Sequence, residues 1–347
     1  MSPTPVTFTA PSAPSTYSWE ATDEEVAARY GLDPATIVRF DLNTSPAPPA
    51  LMERLLAAGQ FEGPLSEYPP TDYRHLVEAA AARYGVTPAE ILVGAGADEI
   101  LDIVAKTFLP SGGQAVVPTP TYAMYRVLTE QRGATVVAVP RRGEAAGWAL
   151  DLAATRAAAI GAAVVWLCSP NNPTALPEPD GTIRDLLAGL QDDAATTGRS
   201  APIVVLDEAY AEFVGATLLG LRDAYPNLVV VRTASKAYAL AGLRVGFGVA
   251  RPEIIAQMNP YRPPGSVSTV SVTLVTEALI DPAILDDNLQ RVAGERARLG
   301  DALLAAGWSV GPSVTNFSIR RLSPAPRSAS ATFAHGKKKM MTSWLPS

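Results

Sequence analysis

The sequence predicts an α/β fold: a large, doubly wound, mostly parallel sheet domain followed by a smaller α/β domain. Three observations predict it. Short apolar, β-branched runs recur through the middle of the chain. Segments of helical periodicity separate them. Chemically rich polar residues stand directly after three of the runs.

In chain order, residues 72–86 (DYRHLVEAAAARYGV) place Leu76, Val77, Ala80 and Tyr84 on one helical face. A second helix is read through 98–109 (DEILDIVAKTFL), stopping before Pro110 and the Ser-Gly-Gly beyond it. Then come QAVVP, ATVVAVP, AAVVWLC, PIVVLDE and LVVVRT. They are continuous rather than alternating, as strands buried on both faces are. TIRDLLAGLQDD (182–193) is an intervening helical segment. The long helical stretch 282–306 is expected to join the large domain to the smaller one. No internal repeat is evident.

Composition excludes several classes. The chain has 347 residues, 48% hydrophobic and 18% charged, with ample length for a large core. A net charge of −6 argues against nucleic acid and against an anionic membrane surface. The single cysteine, Cys168, permits no internal disulfide and fits a cytoplasmic setting. Two histidines, His75 and His335, give little support to a histidine metal site or a Ser-His-Asp triad. Residues 1–19 lack a charged n-region and a long apolar core, so they read as a mobile Pro/Ser/Thr-rich leader and not a signal peptide. No apolar run approaches the roughly 20 residues that span a bilayer.

Ligands of open parallel sheets bind outside the carboxyl ends of the strands. AVVWLC leads into SPNNPT (169–174), IVVL into DEAY (207–210), and LVVVRT into ASKAY (234–238). Singly, SPNNPT can be a turn, Asp207 a helix cap or metal ligand, and Lys236 a solvated charge. Jointly and in this order, they point to one shared crevice. GAGADE (94–99) offers backbone N–H groups at a helix N-terminus, a phosphate site. Glu99 stands where a dinucleotide loop would need its last glycine, so one phosphate is expected and not a pyrophosphate. Tyr122, in PTPTYAMY (118–125), can stack on a flat ring or belong to the core. Lysine is scarce: before residue 337 only Lys106 and Lys236 occur, and arginine carries the remaining basic charge. Lys236 is therefore expected to serve a chemistry that needs an amine able to lose its proton, which arginine cannot supply.

Assembled, these stretches resemble the fold-type I pyridoxal-phosphate (PLP) aminotransferases, and within them the histidinol-phosphate aminotransferase group. LNTSP, YPPTDYRHL, ILVGAGADEILD, VPTPTYAMYR, SPNNPT, VVLDEAY, RTASKAYALAGLRVGFG and RPPGSVSTVS carry the resemblance, over roughly residues 38–320. It implies the PLP-dependent transferase fold. It also implies a Schiff base on Lys236, and a cofactor phosphate held by Ser235 and Arg244 with the backbone of Ala97 and Asp98. Asp207 is implied at the pyridinium nitrogen, Tyr210 and Asn172 at the ring hydroxyl, and Tyr122 over the ring. Tyr68 is implied at the phosphate of the neighbouring subunit of a homodimer. The implied activity is ping-pong transfer of an amino group between a small amino acid or amino-alcohol phosphate, such as histidinol phosphate, and a 2-oxo acid such as 2-oxoglutarate. A threonine-phosphate decarboxylase-like lyase and a truncated, impaired homologue are the alternatives.

The sequence departs from the family at Ala175 and Ala239, where glycine is usual, and in LNTSP, which lacks the usual acidic form. After TNFSIRR (315–321) the periodicity vanishes, and three of the five lysines fall in the last 26 residues. That stretch reads as a natural disordered tail or, preferably, as a frameshifted end that leaves the small domain incomplete. The substrate-binding arginines of the family have no matching motif in it. The expected organisation is 1–37 leader and N-terminal part of the small domain, 38–281 PLP-binding domain, 282–321 linking helix and partial small domain, and 322–347 atypical tail.

Overall fold

Strands β1 (Ile91–Gly94), β2 (Gln114–Thr119), β3 (Thr135–Pro140), β4 (Val164–Cys168), β5 (Ile203–Asp207), β6 (Leu228–Thr233) and β7 (Gly246–Val249) form one sheet in the order β1-β7-β6-β5-β4-β2-β3. The computed structural model describes residues 15–321 except 19, 40, 46, 47, 60, 62 and 319, so the expected tail, 322–347, lies outside the described residues. The helices are α1 (Asp23–Tyr30), α2 (Ala50–Ala58), α3 (Arg74–Tyr84), α4 (Ala97–Phe108), α5 (Met124–Gln131), α6 (Leu152–Ala159), α7 (Thr182–Thr197), α8 (Pro252–Met258), α9 (Thr269–Ile280) and α10 (Pro282–Ala305). Beyond α10, β8 (Ser309–Val310) pairs antiparallel with β9 (Arg320–Arg321).

Alternate residues of the central strands feed two separate cores. Val116, Val165, Leu167, Val204, Leu206 and Val230 pack with Leu76, Ile183, Leu186, Leu187 and Leu274 of α3, α7 and α9. Ala115, Val117, Val164, Trp166, Val205 and Val229 pack with Ile100, Leu101, Ile103, Tyr125 and Ile255 of α4, α5 and α8. Apolar residues at every strand position are thus used on both faces, as parallel sheets with helices on each side require. Each fully buried Leu or Ile contributes on the order of 1.5–3 kcal/mol.

Two strand expectations need correction. β3 is an edge strand on which only Val139 is buried, because no strand covers its outer side and α5 and α6 screen it incompletely. β7 gave no strand signal, since glycines at 246 and 248 replace β-branched residues. It nevertheless lies between β6 and β1, antiparallel to both. Its glycines admit neighbours: a Cβ on Gly248 would stand 3.0 Å from the Ile100 side chain of α4. The helix expected from residue 72 begins at Arg74, because Tyr73 takes a left-handed φ of 46°. Among the described residues no helix is long and apolar enough to cross a membrane.

Candidate active site

The carboxyl ends of β4, β5 and β6 open into one cavity of about 260 Å³. Lys236, Ser235, Asp207, Tyr210, Asn172, Tyr122, Ala97, Asp98 and Arg244 all line it. The parallel register aligns Cys168 with Asp207 and Asp207 with Val231, which brings the SPNNPT, DEAY and ASKAY segments side by side.

Lys236 follows β6, and its Nζ lies 3.3 Å from the Asn43 carbonyl oxygen and 5.6 Å from the centre of the Tyr210 ring. Burial lowers its pKa, with help from Arg244, against the opposing pull of Asp98 and Asp207. Asp207 is buried at the end of β5. Its Oδ1 accepts the Ala209 amide at 3.0 Å and its Oδ2 the Tyr125 hydroxyl at 2.8 Å. Burial raises its pKa to about 6 despite those two bonds. Burial likewise keeps the Tyr210 and Tyr122 hydroxyls protonated, by raising both.

The anion-seeking side of the cavity is built by α4. Gly96 caps this helix at φ 88°, and Ala97 and Asp98 are its first residues, at the positive end of the helix dipole. The Glu99 carboxylate secures the turn, accepting from the Ala95 amide at 2.6 Å and from Ser266 Oγ at 2.8 Å. Arg244 stands across from it in a left-handed conformation, φ 52°. Its guanidinium is half-exposed and meets Asp98 Oδ2 at 3.3 Å and the Ala241 carbonyl at 3.2 Å, fewer bonds than its donors can make. Tyr122 donates to Asp98 Oδ1 at 2.9 Å, and its ring packs edge-on against Tyr125 at 5.7 Å.

Tyr68 is the one expected residue outside the cavity; it is 94% exposed. Residues that sequence reasoning passed over also line the site. Tyr17 and Glu20 come from the expected leader, whose described end from Ser15 is held on α5: Gln131 Nε2 donates to the Ser15 carbonyl at 3.1 Å. Nothing in that segment's composition signals this. Asn43 belongs to LNTSP and has φ 51°; its carbonyl also accepts Asn316 Nδ2 at 2.9 Å. Phe317 packs edge-on against Tyr210 at 5.1 Å, so the segment after β8 closes one side of the site.

The sheet order, the three strand-end segments and the helix N-terminus facing Lys236 are the architecture of the fold-type I aminotransferases. A model of the family "Aminotransferase class I and II" matches residues 38–341. The histidinol-phosphate aminotransferase of Symbiobacterium thermophilum is 36% identical over 302 residues, covering 85% of this chain and 79% of the relative. That of Roseiflexus castenholzii is 36% identical over 312 residues, covering 86% and 78%. The crystal structure of histidinol-phosphate aminotransferase from Sinorhizobium meliloti, in complex with pyridoxal-5'-phosphate, matches with a TM-score of 0.75 at 25% identity, covering 87% of this chain and 79% of that one. The chain belongs to the class I and II aminotransferases, and is a PLP-dependent aminotransferase resembling the histidinol-phosphate group.

Proposed function

We propose that the chain transfers an amino group from histidinol phosphate, or a closely similar amino-alcohol phosphate, to a 2-oxo acid such as 2-oxoglutarate, in a ping-pong cycle. One observation carries the reading: Lys236 and Arg244, from one segment after β6, and Asp207, from the end of β5, meet in one cavity with the N-terminus of α4. That donor set fits PLP. It combines an amine of lowered proton affinity, a buried carboxylate, and an arginine beside helix amides. The relatives named above make histidinol phosphate the favoured donor.

Lys236 would hold the cofactor covalently and Asp207 its ring nitrogen. Arg244, Ser235 and the amides of Ala97 and Asp98 would hold its phosphate. Asn172 and Tyr210 would hold its ring hydroxyl, and Tyr122 would lie against the ring. When bound, PLP supplies an electron sink for the charge developing at the substrate Cα. Once the substrate amine has displaced it from the cofactor, Lys236 Nζ would be free to take up the Cα proton and pass it to the cofactor, a task suited to an amine whose pKa burial has lowered. Tyr68, exposed here, would contribute to the site of a second copy in a homodimer.

Borohydride reduction followed by peptide mass mapping tests the assignment: the reduced adduct should sit on Lys236 and vanish in Lys236→Ala. A persisting adduct would sink it. Formation of pyridoxamine phosphate from histidinol phosphate is expected; release of carbon dioxide from a phosphorylated amino acid would instead favour a decarboxylase.

A further inference from the structure

Asp207 depends on a residue that is not itself in the cavity wall. Tyr125, in the first turn of α5, is fully buried, and its hydroxyl donates to Asp207 Oδ2 at 2.8 Å. Its ring lies flat on Trp166, with centroids 5.6 Å apart and planes 4° apart. Trp166 Nε1 donates to Thr129 Oγ1 at 3.1 Å, and Thr129 Oγ1 donates to the Tyr125 carbonyl at 2.7 Å. Ring, hydroxyl and backbone are therefore each fixed by a separate contact. The hydroxyl cannot turn to another acceptor without leaving a buried carboxylate oxygen unpartnered, which is costly.

No guanidinium or ammonium bonds Asp207 among the described residues; its carboxylate accepts from this hydroxyl and from the Ala209 amide. We propose that Tyr125 is a positioning residue that keeps the Asp207 carboxylate ionised and fixed in orientation toward the cofactor's ring nitrogen. This rests on the assignment of Asp207 to that nitrogen. The other groups acting on Asp207 are Asp98 of α4, Lys236 after β6, the Tyr122 and Tyr210 hydroxyls, and the Cys168 thiol of β4, whose own pKa burial raises to about 12. Asp98 and burial favour the protonated carboxyl, and Lys236 opposes them from across the cavity. The Tyr125 hydroxyl is the side-chain bond that counters burial directly, because a donor to the charged form favours that form.

The test is Tyr125→Phe, which keeps the ring and its stack. In PLP-loaded enzyme, turnover should fall about ten- to a hundredfold, the weight of one hydrogen bond to a charged group, with KM little changed. The acidic limb of the pH–turnover profile should move upward. In apo-protein carrying ¹³C-labelled aspartate, the Asp207 carboxyl should titrate about one unit higher in the variant than in the parent. The same substitution made in Asp207→Asn should cost almost nothing further. Equal losses in both backgrounds, or an unmoved Asp207 titration in a variant that melts as the parent does, would overturn the proposal. Near-normal turnover of Asp207→Asn alone would instead overturn the assignment on which it rests. If Tyr125→Phe fails to fold, Thr129→Val, which releases the backbone of Tyr125 and the Trp166 indole, should give a smaller upward shift of the same titration, and no shift would overturn it.

Discussion

Gly246 lies directly against Gly96: a Cβ at 246 would overlap the Gly96 carbonyl and stand 2.5 Å from the Ala97 amide nitrogen. The start of β7 is thereby pressed onto the helix N-terminus that faces the cavity. Arg244, two residues earlier, is brought over Gly96 so closely that a Cβ there would collide with its guanidinium. Two glycines set the spacing between the arginine and the amides of α4.

Gly246→Ala must therefore push β7 from α4. We expect a stability loss of about 1–3 kcal/mol, typical of overpacking, and a weaker PLP affinity through the displaced Arg244. Denaturant unfolding and cofactor titration read the two effects. Parent-like PLP affinity would show that this spacing does not matter.

Ala175 and Ala239 adopt φ of 62° and 60°, a region that suits glycine. Replacing either by glycine relieves local strain but loosens the unfolded chain, by about 0.4–1 kcal/mol. Ala239→Gly, at a partly exposed site, should raise stability by about 0.5–1 kcal/mol. Ala175 is wholly buried, so Ala175→Gly also loses a methyl's burial, about 0.8 kcal/mol, and should come out near neutral. Denaturation midpoints should rank the two in that order.

The Asp207 carboxyl holds its proton more tightly folded than unfolded, since burial raises its pKa from 3.8 to about 6. Over that window the apo-protein should lose stability as pH rises. Asp207→Asn removes this dependence. Its apo form should be more stable than the parent at pH 7, by about 1–3 kcal/mol, and no more stable near pH 4. Thermal melts across pH would show the two curves converging at acid pH; a constant offset would contradict the sign.

Arg232 is buried on β6 between two carboxylates, 2.6 Å from Glu208 and 2.7 Å from Glu212, under the Tyr84 ring at 5.1 Å. Arg232→Met leaves both buried charges uncompensated. A loss of about 3–5 kcal/mol is expected. Chemical denaturation of the variant against the parent checks this.

The sequence alone determined the sheet class and three of the site's segments. SPNNPT, DEAY and ASKAY follow apolar runs buried on both faces, and such runs leave their polar residues at the strand ends. Lysine scarcity singled out Lys236 before any contact was known. What only the tertiary structure decided depends on packing across distance. The β7 glycines show their use only with α4 pressed against them. Glu20 and Tyr17 join the cavity from a segment whose composition suggests nothing. Tyr125 and Asp207 are 82 residues apart, and their bond arises because the Tyr125 side chain reaches from α5 over Trp166 of β4 to the end of β5. Local patterning records which face a residue takes; it does not record which distant residue shares that face.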